Sequence, residues 1–447
     1  MNKLKIIYCP IGVATFHMES AQKEFNDSVE LLKKIEPSIH LPNKLMLSID
    51  DIKEYLTDSF ADLIIVQNIT FANAAYLTEI LRICKNSQIL LWTLKEPVID
   101  GGRLRLNSLT GAFSAGNAFV NMRQDNLLYM FGSPNEKAIE KQLTDTIMAA
   151  KIKHNMQNMK LLMIGHTPQG FGFGRALDLE MAKNFGVELL TVESRELTQI
   201  AKKLSEADIQ EESNIANKRM VDLDKTESKN RLDFFKLYHA YKKYIDNLGV
   251  KAIASRCWPD FFTDYGTPVC GVLGMLNDDG IAAACEADAY GALSMYIGQQ
   301  ITKTPTFLGD PVSLDEEENT LTFWHCGTGA CSLARKDTGA LTGVHPNRKI
   351  GPTMEFGFKP SEKATIFRIG RKPDGSFRFL ILEAAILDKP KQFLGTSMVV
   401  KVEPKVKELV SKMVKAGFEP HFAIIYDNVV KTLKILAEML QIEIWSY

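Results

Sequence analysis

Short apolar runs separated by polar, helix-favouring stretches make up the first part of the chain: LKIIYC (4–9), DLIIVQN (62–68), QILLWT (88–93) and NLLYMFG (126–132). Runs this short and uniformly apolar predict strands buried on both faces. The stretches between them predict the covering helices, the pattern of a parallel α/β sheet. A polar connection, KIKHNMQN (151–158), leads to a second start, where KLLMIG (160–165) predicts a strand and RALDLEMAKNFG (175–186) a helix closed by its glycine. Between Thr198 and Gly249 the sequence is charged and helical. KAIASR (251–256) and IAAACE (281–286) then predict two further buried strands, each ending in a charged residue.

After about Thr304 a period of two takes over in NTLTFWHC (319–326), KATIFRIG (363–370), SFRFLILEAAIL (376–387) and TSMVVKV (396–402). These stretches predict a small antiparallel sandwich or barrel, with Pro373-Asp374-Gly375 as a hairpin turn. The final segment predicts an amphipathic helix and a short strand. The expected fold class is α/β: two Rossmann-like, doubly wound domains at 1–156 and 157–304, then an antiparallel β-rich domain at 305–427. The helix and strand at 428–447 are expected to pack on the second domain.

Composition then removes whole classes of function. With 53 Lys+Arg against 54 Asp+Glu in 447 residues, the net charge is −1, which supplies no field for nucleic acid or an anionic membrane surface. No run approaches the roughly 18 apolar residues of a membrane span. The apolar start of the chain is broken by Pro10 and Gly12, so it reads as a first strand rather than an export signal. Seven cysteines, an odd number with no CxxC pair, predict reduced thiols and a cytoplasmic protein.

Ligands of open parallel sheets gather beyond the carboxyl ends of the strands. Glu286 ends IAAACE there, Asp310 ends the apolar run TFLGD, and His325 ends TLTFWH. Asp288 reads as the cap of the helix that follows. Two carboxylates and an imidazole suit Mn²⁺ or Mg²⁺ better than a structural zinc, which would recruit thiolates. Cys285 and Cys326, one step along each strand, should point the other way and pack. His421, in GFEPHFAIIYD, is a fourth candidate. Arg256 and Trp258, in RCWPDF, are candidates for contacts to a substrate.

The motifs CEADAYGALSMYI, FLGDP, FWHCG, RCWPDF and GFEPHFAIIYD, in that chain context, resemble the L-fucose isomerase and L-arabinose isomerase superfamily, in its shorter fucose-isomerase-like branch. The resemblance covers the second and third regions; the first matches only in its α/β texture. It implies a metal-dependent aldose–ketose isomerase that works by enediol proton transfer. Mn²⁺ is the implied cofactor, with Mg²⁺ or Co²⁺ as alternatives. Glu286 and Asp310 would bind the metal and exchange the substrate proton, His421 would complete the ligand set, and His325 would contact metal or substrate. The family shows two adjacent histidines near the carboxyl end where this chain has Pro420-His421. Substrates of the family are fucose, arabinose and related aldoses, including 6-substituted hexoses such as sulfoquinovose. The resemblance also implies a homo-oligomer, a trimer or hexamer, in which a neighbour's first domain closes the site. Phe16 and His17 are the candidates for that role.

Two other readings remain at this level. Gly170, Gly172 and Gly174 after KLLMIG suggest a dinucleotide-dependent sugar oxidoreductase. Against it, four residues intervene after the strand and Arg175 occupies the last glycine position, so a substrate-facing loop fits better. Paired α/β domains also suit a non-catalytic sugar-binding sensor, which has no need of carboxylates and histidines at successive strand ends.

Overall fold

Four strands, β1 (Ile6–Ile11), β2 (Leu63–Asn68), β3 (Gln88–Thr93) and β4 (Leu128–Phe131), pair in parallel in that order. Every residue of the first three is buried, as their apolar runs require, whereas β4 alternates as an edge strand. Isolated bridges set His40 and Met46 beside β1 on the edge away from β2, so the winding direction reverses at β1. The computed structural model describes residues 3–57, 60–445 and 447, and this sheet belongs to the first of two units, Met1–Asn155 with Lys431–Gln441.

The second unit is Met156–Val430 with Ile442–Tyr447. Its parallel sheet comprises β5 (Lys160–Ile164), β6 (Glu188–Val192), β7 (Ala252–Ser255) and β8 (Ala282–Ala284), in the order β6-β5-β7-β8. Winding reverses at β5, the doubly wound arrangement. The helix Asp178–Phe185 ends on Gly186, whose φ of +70° is open to glycine at little cost. Alanines at 252, 254, 282, 283 and 284 leave room for the helix Ala289–Thr302 to lie against β7 and β8.

The antiparallel part of this unit contains β9 (Phe307–Asp315), β10 (Thr320–His325) and a two-residue pair, β11 (Thr342–Gly343) with β12 (Thr353–Met354). It continues with β13 (Ser361–Arg371), β14 (Phe377–Ile386), β15 (Thr396–Val402), β16 (Phe422–Ile425) and β17 (Glu443–Trp445). Pairing runs β13-β16-β9-β10-β15-β14 and returns from β14 to β13, so six antiparallel strands close into a barrel without free edges. The turn at 373–375 connects β13 to β14: the Lys372 N–H donates to Ser376, and Gly375 takes a φ of +82°. The helix Ala289–Thr302 touches β13 and β16 on its far side. Covered by the sheet on one side and the barrel on the other, it can be apolar nearly all round.

The structure differs from the sequence expectation in three places. First, the regions expected as separate domains at 157–304 and 305–427 share one apolar core, which joins Leu162 and Ile253 of the sheet to Phe307, Phe323 and Ile366 of the barrel. Second, the tail expected on the second domain divides. The helix Val430–Leu440 groups with the first unit, where Thr432 donates to Asp145 and Lys153 to the Met439 carbonyl. The strand β17 pairs with Arg378–Leu380 of β14, on the stretch of edge that β15 leaves open by pairing only with Ala384–Ile386. Third, β9 does not end at Asp310. Its first three residues pair with β16, while its polar half runs on beside β10 to Asp315, so the apolar run marks only the stretch inside the barrel.

No helix among the described residues is long and apolar enough to cross a membrane, and all seven cysteines are free.

Candidate active site

Glu286 lies just past β8, and it and Ala287 have φ of +58° and +55°. Two consecutive left-handed residues that are not glycine cost about 1–3 kcal/mol each, and such strain survives only where the surroundings fix it. Here the Ala287 N–H donates to the Ser255 carbonyl at the end of β7, and the Asp288 N–H to that of Cys285. The indole N–H of Trp258 donates to Glu286 Oε1 at 3.4 Å.

Asp288 does cap the helix Ala289–Thr302, since its Oδ1 accepts the Gly291 N–H at 2.9 Å. It also carries a charge that the capping reading did not anticipate. Wholly buried, it receives both ends of the Arg368 guanidinium from β13, at 2.5 and 3.1 Å. Burial alone would raise its carboxyl, but Arg368 and His421 outweigh that and hold it well below the usual carboxylate range. Arg368, missed at the sequence level, left one signal there: a charged residue inside the apolar stretch TIFRIG, where a buried partner is needed.

His421 precedes β16 and is fully buried. Its Nδ1 lies 2.9 Å from Asp288 Oδ2, so Asp288 accepts the hydrogen bond of the Nδ1–H and fixes the ring. Its Nε2 then faces Glu286 Oε2 at 2.9 Å and Asp310 Oδ1 at 3.3 Å, with neither contact in hydrogen-bond geometry. Burial disfavours the imidazolium, yet the Asp288 hydrogen bond and the two carboxylates push His421 up to about 10. The two carboxyls move apart. Burial raises Glu286, but His421 and His325 outweigh it and leave it lowered; for Asp310 burial prevails and Glu286 adds to the rise.

His325, the last residue of β10, is turned the other way. Its Nδ1 accepts the backbone N–H of Cys326 at 2.9 Å, which places a neutral ring's proton on Nε2. That Nε2 is buried with no hydrogen-bond partner among the described residues. The strand pairing explains the convergence: Phe422 faces Gly309 and Trp324 faces Asp310, so three neighbouring strands bring His421, Asp310 and His325 to one end of the barrel. Ligand atoms of Glu286, His325 and His421 lie within 4.8 Å of one another. The unpartnered Nε2 of His421 beside the Glu286 and Asp310 carboxylates fits a divalent ion of Mn²⁺ type, whereas the His325 Nε2 carries its proton. Asp288 lies behind His421, its oxygens taken by Arg368 and the ring. Cys285 and Cys326 point away from this cluster into a buried group with Cys270, their sulfurs within 4.8 Å of one another.

The glycine-rich loop forms part of this site. Phe173 stands edge-on to His421 at 5.2 Å, and Phe171 edge-on to Trp258 at 5.9 Å. Gly174 makes this approach feasible, because a Cβ there would sit 2.8 Å from the Asp288 Cα. The loop does not open a helix, since Asp178–Phe185 starts beyond Leu177 with an acidic first turn, which disfavours a pyrophosphate. Neither phenylalanine was singled out from sequence, where they read only as spacers between glycines.

Arg256 closes β7 near the site but is engaged, with Nε 3.1 Å from Asp260 and 3.3 Å from the Trp258 carbonyl. Phe16 and His17 belong to the other unit. There Phe16 lies 6.4 Å from Phe71, and His17 caps the helix Met18–Ile35 through Ser20.

No protein-family model matches the chain. Among characterised proteins it is 55% identical over 447 residues, the whole of both chains, to a sulfoquinovose isomerase of Clostridium sp. (strain MSTE9). It is 36% identical over 453 residues, again the whole of both chains, to the sulfoquinovose isomerase of Priestia aryabhattai. Over 448 residues and 99% of each chain it is 34% identical to that of Alkalicoccus urumqiensis.

Proposed function

The chain belongs to the sulfoquinovose isomerase family, and from that premise we propose that it isomerises sulfoquinovose, an aldose, to the corresponding 2-ketose at the cluster of Glu286, Asp310, His325 and His421. The observation that carries this reading is the convergence of those four residues at the carboxyl end of β8 and one end of the barrel, in a chain related end to end to enzymes of that name. The motif order supports a wider kinship with the L-fucose and L-arabinose isomerases.

Isomerisation removes a proton from C2, returns one to C1, and shifts a hydroxyl proton between the two oxygens. Glu286, held in its ionised form, has the character of the base. Asp310, raised by burial, has the character of the acid partner. Trp258 holds one oxygen of Glu286 and the other faces His421, which fixes the orientation of the carboxylate. The Nε2 proton of His325 is placed to donate to an oxygen that gains charge as the enediolate forms. Phe171 and Phe173 cover Trp258 and His421 and exclude water. Glu286, Asp310 and His421 would hold a Mn²⁺ ion, which supplies polarisation of the two substrate oxygens when bound. Seven free thiols favour a reducing compartment such as the cytoplasm. Exposed Leu109, Phe113 and Val120 on the helix Ser108–Met122 favour self-association.

The test is direct. Purified protein with Mn²⁺ converts sulfoquinovose to its ketose, loses the activity with a chelator and regains it with added metal. Failure to make ketose from sulfoquinovose while another aldose is turned over refutes the substrate.

A second expectation concerns pH. A histidine whose folded value is raised to about 10 contributes stability that is complete below its unfolded value and is lost as pH rises through the folded one. Chelator-treated protein should therefore lose stability in urea between about pH 6.5 and pH 10, and His421→Gln should reduce that dependence without abolishing it, because His325, which burial lowers but Cys326, Asp310 and Glu286 push up to about 9, contributes in the same window. A dependence unchanged by the substitution removes His421 as its source.

A further inference from the structure

Beside the cluster, at the carboxyl ends of β5 and β6, lies a cavity of about 540 Å³ lined by Gly165, His166, Arg175, Thr191, Glu193 and Glu196. One wall is the end of β5, the strand at which the winding of this sheet reverses. Both acids in its lining already accept hydrogen bonds. Glu193 and Glu196 cap the helix Ser194–Lys203 reciprocally, and Glu196 also accepts the Tyr244 hydroxyl at 2.9 Å. The one arginine in its lining is uncommitted. The other arginines around the site have carboxylate partners: Arg256 with Asp260, Arg368 with Asp288, and Arg371 with Glu180. The Arg175 guanidinium has none among the described residues, and neither does the His166 ring. The next residue, Thr167, is buried with an unpartnered hydroxyl.

We infer that this cavity is the subsite for the anionic substituent on C6 of the sugar, with the Arg175 guanidinium as its principal ligand and His166 as its neighbour. The assignment rests on the isomerase reading above. Strands in a sheet lie about 4.8 Å apart, so the end of β5 is roughly 10 Å from that of β8, where Glu286 stands. An extended six-carbon sugar with its reacting C1–C2 end at Glu286 would carry C6 across β7 towards β5. Arg175 follows Gly174, which is packed on Asp288, and Phe173, which is packed on His421, so one loop carries both the cover of the reacting end and the cation for the far end. A tetrahedral oxyanion offers a guanidinium two parallel acceptors, a geometry that a sugar hydroxyl at C6 cannot match. Arg256, nearer the reacting carbons, is already neutralised by Asp260.

The experiment is steady-state kinetics of the wild-type holoenzyme, Arg175→Gln and Arg175→Lys on sulfoquinovose, glucose 6-phosphate and 6-deoxyglucose, the last lacking any charge at C6. For Arg175→Gln, KM for sulfoquinovose should rise about 10- to 100-fold while kcat stays within about threefold, because a charge-assisted bidentate contact is lost away from the reacting atoms. Arg175→Lys should recover part of the loss, and KM for 6-deoxyglucose should not move. An unchanged KM for sulfoquinovose in Arg175→Gln overturns the subsite, as does an equal loss on both sugars, which would mark a structural role. A wild type that prefers glucose 6-phosphate overturns the sulfonate as the natural anion. A wild type that leaves sulfoquinovose untouched overturns the proposed function itself, whatever the variants do.

Discussion

Glu286→Gln should leave the protein folded and reduce kcat for sulfoquinovose by at least about 10³, within the range that a positioned general base contributes. Glutamine keeps the volume of the side chain and an oxygen to accept the Trp258 N–H, and it has no greater difficulty than glutamate with a φ of +58°. What it loses is the negative charge next to His421 and, with it, the capacity to act as the proposed base at C2. The comparison is ketose formation by chromatography, with circular dichroism and the urea midpoint as controls for folding. A Glu286→Gln protein with more than about a tenth of the parent rate would remove Glu286 from the chemistry, because no positioned base is worth so little. Asp310→Asn is the companion, and a smaller loss there than at Glu286 would support an acid role that water can partly replace.

The largest effect on stability is expected at Arg368. Substituting methionine leaves Asp288 fully buried with only His421 and the helix N-terminus to balance its charge, and breaking a buried pair in this way costs about 3–5 kcal/mol. Activity should fall with it, since Asp288 fixes the ring of His421 and Arg368 fixes Asp288. Arg368→Lys should be nearly as damaging, because an ammonium cannot hold both carboxylate oxygens in the planar fork. Urea unfolding measures the first effect and ketose formation the second. A loss below about 1 kcal/mol in Arg368→Met would mean that the protonation of Asp288 or His421 adjusts, and that the pair does not set the geometry of the site.

The positions of the strands were legible because burial on both faces leaves an unbroken apolar run. Residues 88–93 and 396–402 of the sequence pattern coincide with β3 and β15, and the cap at Asp288 and the glycine stop at 186 were readable as local chemistry. Asp310 shows the limit of that reading. Its apolar run ends where β16 stops covering β9, while the strand itself continues, because a backbone ladder depends on its partner and not on hydrophobicity. The role of Arg368 was invisible for a related reason: its partner lies 80 residues earlier, across a helix, and no local rule links the two. The loop residues Phe171 and Phe173 gave no periodic signal at all, since a 3₁₀ turn between glycines has none.

The sequence by itself determined that the chain is α/β followed by an antiparallel β part, that its balanced charge suits no polyanion, and that Glu286 and His325 stand at strand ends, with Asp310 where an apolar run stops and His421 just before another. Tertiary structure decided the rest. Barrel closure brings three of these residues onto adjacent strands, and Asp288 against one imidazole and a backbone amide against the other orient the two rings in opposite senses. Hydrogen bonds to a ring nitrogen depend on atoms a few ångströms away in space, and only the fold makes those atoms neighbours.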